Sequence, residues 1–132
     1  AGSCEDVHID AHYPFHAGTL EENLRFAMED ETSEAEEVYP TFARIAREEG
    51  FAQIALKFEQ VAKVESHHRI IFSYLFEAFK DGSLYSADRP MLWICSECGY
   101  MHTSKEAWNI CPLCGASQGE VQVHLPFAKE KL

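Results

Sequence analysis

The sequence predicts a mainly α-helical protein: an antiparallel helix pair that joins a second pair to close a four-helix bundle, followed by a small module of metal-binding knuckles. Three observations carry this. Two long stretches, 19–49 and 51–80, keep apolar residues at helical spacing, with Gly50 between them as a reversal. Each apolar stripe is broken at one place by groups that ligate metals, Glu31 with Glu34 and Glu65 with His68. Residues 92–127 then change character and carry two Cys-x-x-Cys pairs among glycines and aromatics.

Taken in order, residues 1–18 read as an irregular arm. They hold Cys4, His8, Asp10 and His12 before a turn at Pro14. A solvated linker accounts for them, and metal binding by the histidines is the rarer alternative. The first helix opens at "TLEE", where Thr19 as N-cap and Glu22 three residues on form a capping box. Its stripe runs Leu20, Leu24, Ala27/Met28 and resumes at Ala35, Val38, Phe42 and Ile45. Pro40 should kink or locally interrupt it. The second helix has the stripe Phe51, Ala55, Phe58, Ala62, Glu65, His68, Phe72, Leu75/Phe76 and Phe79, and stops at "KDGS". Residues 84–90 read as a linker. The expected domains are an arm at 1–18, half of a helical bundle at 19–81 and a metal-binding domain at 92–132.

The chain has 132 residues, 46% of them hydrophobic, and no long uncharged apolar run, which suits one modest domain with a small module. No membrane-spanning segment and no secretory signal are visible, so a cytoplasmic protein is expected. A start at Ala1 rather than Met fits a processed or excised N terminus. The net charge of −11 argues against nucleic-acid binding, because phosphates repel it, and favours cations.

Burying a carboxylate and an imidazole in an apolar helix face is costly unless something positive lies between them. Glu31-x-x-Glu34 and Glu65-x-x-His68 each put two ligand groups on one helix face. Glu31 lies 19 residues before Gly50 and Glu65 lies 15 after it, so antiparallel packing brings them to similar heights. Carboxylates with an imidazole suit iron or manganese. The competing account is a solvated acidic face, since residues 29–37 contain six acids in nine positions. Two helices alone also leave apolar faces uncovered. Di-iron bundles of the ferritin-like kind use a Glu from each of two helices and Glu-x-x-His from each of the other two. This chain supplies half of that set, and a two-fold mate would repeat it.

The pairs Cys95-x-x-Cys98 and Cys111-x-x-Cys114, each followed by glycine, specify two facing knuckles that close a tetrahedral four-sulfur site. Spacing alone leaves structural zinc and redox iron both open. Trp93, Tyr100 and Trp108 can cover the site in place of a core, and Cys4 reads as an incidental thiol.

Together these features resemble rubrerythrin. "VYPTFARIAREEGF" and "FEQVAKVESHH" are similar to the third and fourth helices of that family's di-iron bundle, and "WICSECGYMH" with "CPLCG" to its rubredoxin-like domain. The resemblance runs from residue 19 to about 127. It implies that Glu31, Glu34, Glu65 and His68 match di-iron ligands and that Tyr39 hydrogen-bonds a ligand carboxylate. It implies further that Cys95, Cys98, Cys111 and Cys114 hold one iron. The implied activity is reduction of hydrogen peroxide to water. Electrons would pass from a reductase or rubredoxin through the four-sulfur iron to the di-iron pair. The family's two earlier helices, with another Glu and another Glu-x-x-His, have no counterpart here. They are expected to come from a separate chain, to have been removed, or to be replaced by a symmetry mate in a homodimer. Two rival expectations stand beside peroxidase: a ferritin-like ferroxidase or iron-binding protein, and a non-enzymatic half-bundle with a structural zinc ribbon.

Overall fold

The computed structural model describes residues 15–125. The arm's Cys4, His8, Asp10, His12 and Pro14 lie outside them. Helix α1 (Leu20–Ser33) starts as expected. The Glu22 amide donates to Thr19 Oγ1 at 3.3 Å, and the Thr19 amide donates to Glu22 Oε2 at 2.8 Å. Two amides that the first turn cannot bond internally are thereby satisfied.

Pro40 acts before its own position rather than at it. Glu34–Val38 forms one widened, π-helical turn, after which helix α2 (Tyr39–Glu48) continues with Pro40 in its first turn. The proline ring crowds the carbonyl four residues back, and widening the turn relieves that clash without ending the helix. At the far end, Gly50 N–H donates to Arg47 O at 3.1 Å and Phe51 N–H to Ala46 O at 2.7 Å, closing α2 and reversing the chain. Helix α3 (Ala52–Lys80) has 29 residues, about 44 Å at an ordinary helical rise.

Both α1 and α2 pack on α3. The seam is built from small residues: Ala35, Ala43, Ala46 and Ala55 are buried, Ala55 completely. Large apolar side chains lie instead on open faces. Phe42, Ile45, Phe51 and Ile54 are all exposed and line one cavity of about 430 Å³ with Phe58. These side chains form an exposed apolar patch on the helix pair.

The second unit packs on itself, with no helix against a strand among the described residues. Strand β1 (Ser86–Ile94) pairs antiparallel with β2 (Met101–Glu106), placing Trp93 opposite His102. A register shift between Ser86 and Met91 accommodates Pro90. Much of the stretch expected to be a linker, 84–90, is therefore the start of β1: the Ala107 amide bonds Tyr85 O, and Ser86 pairs with Glu106. Trp93 is 1% exposed, and its Nε1–H donates to Ser104 O at 3.1 Å. Among the described residues Val121 is the only other buried apolar side chain of the module besides the cysteines. No described helix is long and apolar enough to cross a membrane.

Candidate metal centres

In the knuckles, each turn folds its first cysteine under the following glycine. Gly99 N–H donates to Cys95 O and Gly115 N–H to Cys111 O, both at 2.9 Å. Gly99 and Gly115 have φ of 74° and 79°, a conformation that a side chain would strain. A bridge between Ile110 and Ser117 closes the second knuckle, and one between Cys95 and Val121 ties the first knuckle to the segment that follows the second. The four sulfurs converge. Cys95 Sγ lies 3.8 Å from Cys114 Sγ, and Cys98 Sγ lies 3.7 Å from Cys111 Sγ. Metal–sulfur bonds of about 2.3 Å in a tetrahedron set sulfurs about 3.8 Å apart. The cage therefore already has the size of a metal ion.

Protons expose the same preference. Against the Tyr100 amide, which favours thiolate, lost water and the neighbouring sulfurs push Cys98 up to about 12. Cys111 also loses water, yet amides of Cys114 and Leu113 and the thiols of Cys114 and Cys98 pull it down to about 7. Cys114 is raised as well, and a bound cation would favour the thiolates that Cys98 and Cys114 resist forming. Cys95 and Cys111 are buried, whereas Cys98 and Cys114 are exposed on the edge where Leu113 stands 67% exposed. Tyr100 and Trp108 meet edge to face, with centroids 5.2 Å apart, beside this cage.

In the helices, Glu31, Glu65 and His68 come together. His68 Nδ1 lies 2.7 Å from Glu65 Oε2 and 3.3 Å from Glu31 Oε2. Donors held about 2.1 Å from one ion at right angles stand about 3 Å apart, so this spacing fits a shared metal. Glu65 is the buried charged residue of the described region. An unpaired carboxylate there would cost several kcal/mol. Glu31 is held above the ordinary carboxylate value: desolvation raises it, His68 lowers it, and Glu65 and Glu34 raise it again. Such a proton-hungry, half-buried acid group is what a bound cation would discharge.

Two other predicted residues lie close but apart from that trio. Glu34, half-buried at the start of the π-turn, acts on Glu31 and Tyr39 through its charge, but its carboxylate stands outside the convergent set. Tyr39 is raised by desolvation and then by Glu34, Glu65 and Glu31. It packs beside the Phe42–Phe58 pair, 6.2 Å from each ring. Among the described residues its hydroxyl makes no hydrogen bond to a carboxylate. His67 is exposed and lies outside the convergent set. Sequence reasoning missed the Arg69–Glu36 ion pair and His124, whose Nε2 lies 2.6 Å from Leu92 O and whose ring meets Trp93.

Comparison with known proteins gives the family. Residues 22–90 match the family described as Rubrerythrin, and residues 93–120 match its rubredoxin-like domain. Rubrerythrin of Porphyromonas gingivalis is 43% identical over 76% of this chain and 50% of its own length. Rubrerythrin of Clostridium perfringens is 38% identical over 90% of this chain and 62% of its own. The chain thus spans about half the length of the curated relatives it matches. Nigerythrin in a partially reduced state superposes with a TM-score of 0.48 at 24% identity, covering 89% of this chain and 55% of its own. A helical match followed in order by a rubredoxin-like match, over the residues that form the two clusters, leaves one conclusion: the chain belongs to the rubrerythrin family, with iron as the metal of its rubredoxin-like and di-iron centres.

Proposed function

We propose that this chain supplies half of a non-haem di-iron peroxidase together with the one-electron relay that feeds it. The observation that supports this reading most is the pairing, in one chain, of a carboxylate–histidine cluster with a four-sulfur cage of metal dimensions. When bound, a pair of irons supplies the two electrons that, with two protons, convert hydrogen peroxide to two waters. The residues have separable tasks. Glu65 and Glu31 offer carboxylates to bridge or cap the metals, His68 offers an imidazole, and Glu34 lies within reach of the same charge field. Tyr39 packs beside Phe42 and Phe58 at the apolar end of the site and keeps its proton, because desolvation first and then the surrounding acids oppose its ionisation. A second helix pair, from a symmetry mate or another segment, covers the face on which His68 is 45% exposed. In the cage, buried Cys95 and Cys111 exclude water, and exposed Cys98 and Cys114 form the edge where a reductase or rubredoxin delivers electrons. Reduced cysteines of this kind fit the cytoplasm.

The test is anaerobic. Reduced protein is mixed with hydrogen peroxide while the visible band of the ferric four-sulfur iron is followed. The band should return rapidly in the unmodified protein and at least 10-fold more slowly in Glu65→Ala, on the order expected when a metal-holding group is lost. Equal rates in the two proteins would contradict the reading, as would a colourless protein carrying only zinc. Oxygen-driven Fe(II) oxidation that outpaces the peroxide reaction would favour the ferroxidase instead.

A further inference from the structure

Beside the helical cluster lies an ion pair that the proposed chemistry leaves unused. Arg69 Nη1 lies 2.7 Å from Glu36 Oε1, and among the described residues this ion pair joins the π-turn to α3. Each partner holds a telling position. Arg69 follows the cluster's His68 directly. Glu36 lies four residues before Pro40, so its carbonyl is the one the proline ring crowds.

The widened turn sets the phase of everything before it. Tyr39 N–H reaches back five residues to Glu34 O, so the turn holds one residue more than an α-helix would. Relaxing it to α geometry would rotate α1 against α2 by one residue step, about 100°. Since α2 is keyed to α3 by Ala43 and Ala46, the rotation would fall on Glu31 and Glu34. Glu31 would then leave the neighbourhood of Glu65 and His68. Widened turns inside helices carry a cost, and they persist where something holds them. Pro40 opposes closure from within the helix, and Arg69 can oppose it from across the seam.

We infer that Arg69, through Glu36, latches the π-turn in its widened form and is a positioning residue for the helical metal site. This rests on the reading of Glu31, Glu65 and His68 as ligands. Both latch groups are partly exposed, with side chains 37% and 61% accessible. Exposed pairs add little to global stability, so the effect belongs in metal affinity rather than in melting.

Co(II) titration of the intact protein, with the four-sulfur cage already loaded, tests this. Arg69→Ala and Glu36→Ala should each weaken Co(II) binding at the helical site about three- to fivefold, the reach of an exposed ion pair. The thermal midpoint and the four-sulfur spectrum should stay unchanged. The charge swap Glu36→Arg with Arg69→Glu should restore affinity to within about twofold, because only the pairing is rebuilt. Unchanged affinity in both single variants, or a swap as weak as they are, would overturn the latch. Glu65→Ala is run alongside. If it abolishes binding while Arg69→Ala does nothing, the latch alone has failed. If it binds Co(II) like the unmodified protein, the ligand reading has failed and the latch falls with it.

Discussion

Glu65 is where the sequence and the packing conflict most sharply, and that conflict made the site legible. A carboxylate in register with Phe58 and Phe72 on one helix face needs a positive partner, and the structure sets His68 and Glu31 around it. Glu34 shares the face of Glu31 by its spacing, yet its carboxylate stands outside the convergent set, which spacing alone does not decide. Glu31 carries a pH prediction. Its proton affinity is raised above the ordinary value of 4.5, chiefly by desolvation, so the folded metal-free protein binds more protons there than the unfolded chain. Its contribution to stability is therefore full below 4.5 and is lost as pH rises through the raised value. The metal-free protein should melt higher near pH 5 than near pH 7, and Glu31→Gln should flatten that difference. A Glu31→Gln profile with the same slope would contradict the assignment.

Among the elements, helix starts and stops were the most readable features, since they rest on local chemistry. Thr19 with Glu22, and Gly50 with its two reversed hydrogen bonds, form as their residue types require. Thr19→Ala should lower stability by about 1 kcal/mol, the ordinary worth of an N-cap, measured by denaturant unfolding. Metal content should stay the same, because the cap lies three turns from Glu31. The start of β1 was not readable. "LYSADRP" has the composition of a linker, and only pairing with β2, through a shifted register around Pro90, makes it a strand. The knuckles stand at the other extreme: Cys-x-x-Cys-Gly spacing constrains both backbone and ligand geometry, so the convergence of the four sulfurs was legible.

At the scale of the molecule, the helix pair is a seam of alanines with its large side chains turned outward. Phe42, Ile45, Phe51 and Ile54 stay exposed within the described residues, although Phe42 touches Phe58. Patches of this kind mark an interface, and a cover of two further helices, as under the proposed half-bundle, would suit it. What the sequence could not specify is whether that cover is a symmetry mate or another segment, since either presents the same apolar and ligating groups. The central claim survives both: the Glu65 cluster holds metal independently of the sulfur cage. Counting iron in the intact protein by native mass spectrometry tests it most directly, with Glu65→Ala as the comparison. The account predicts iron beyond one ion per four-sulfur cage in the unmodified protein, and in Glu65→Ala the cage iron alone. Helical iron that survives Glu65→Ala, or a properly assembled protein with no iron outside the cage, would contradict it.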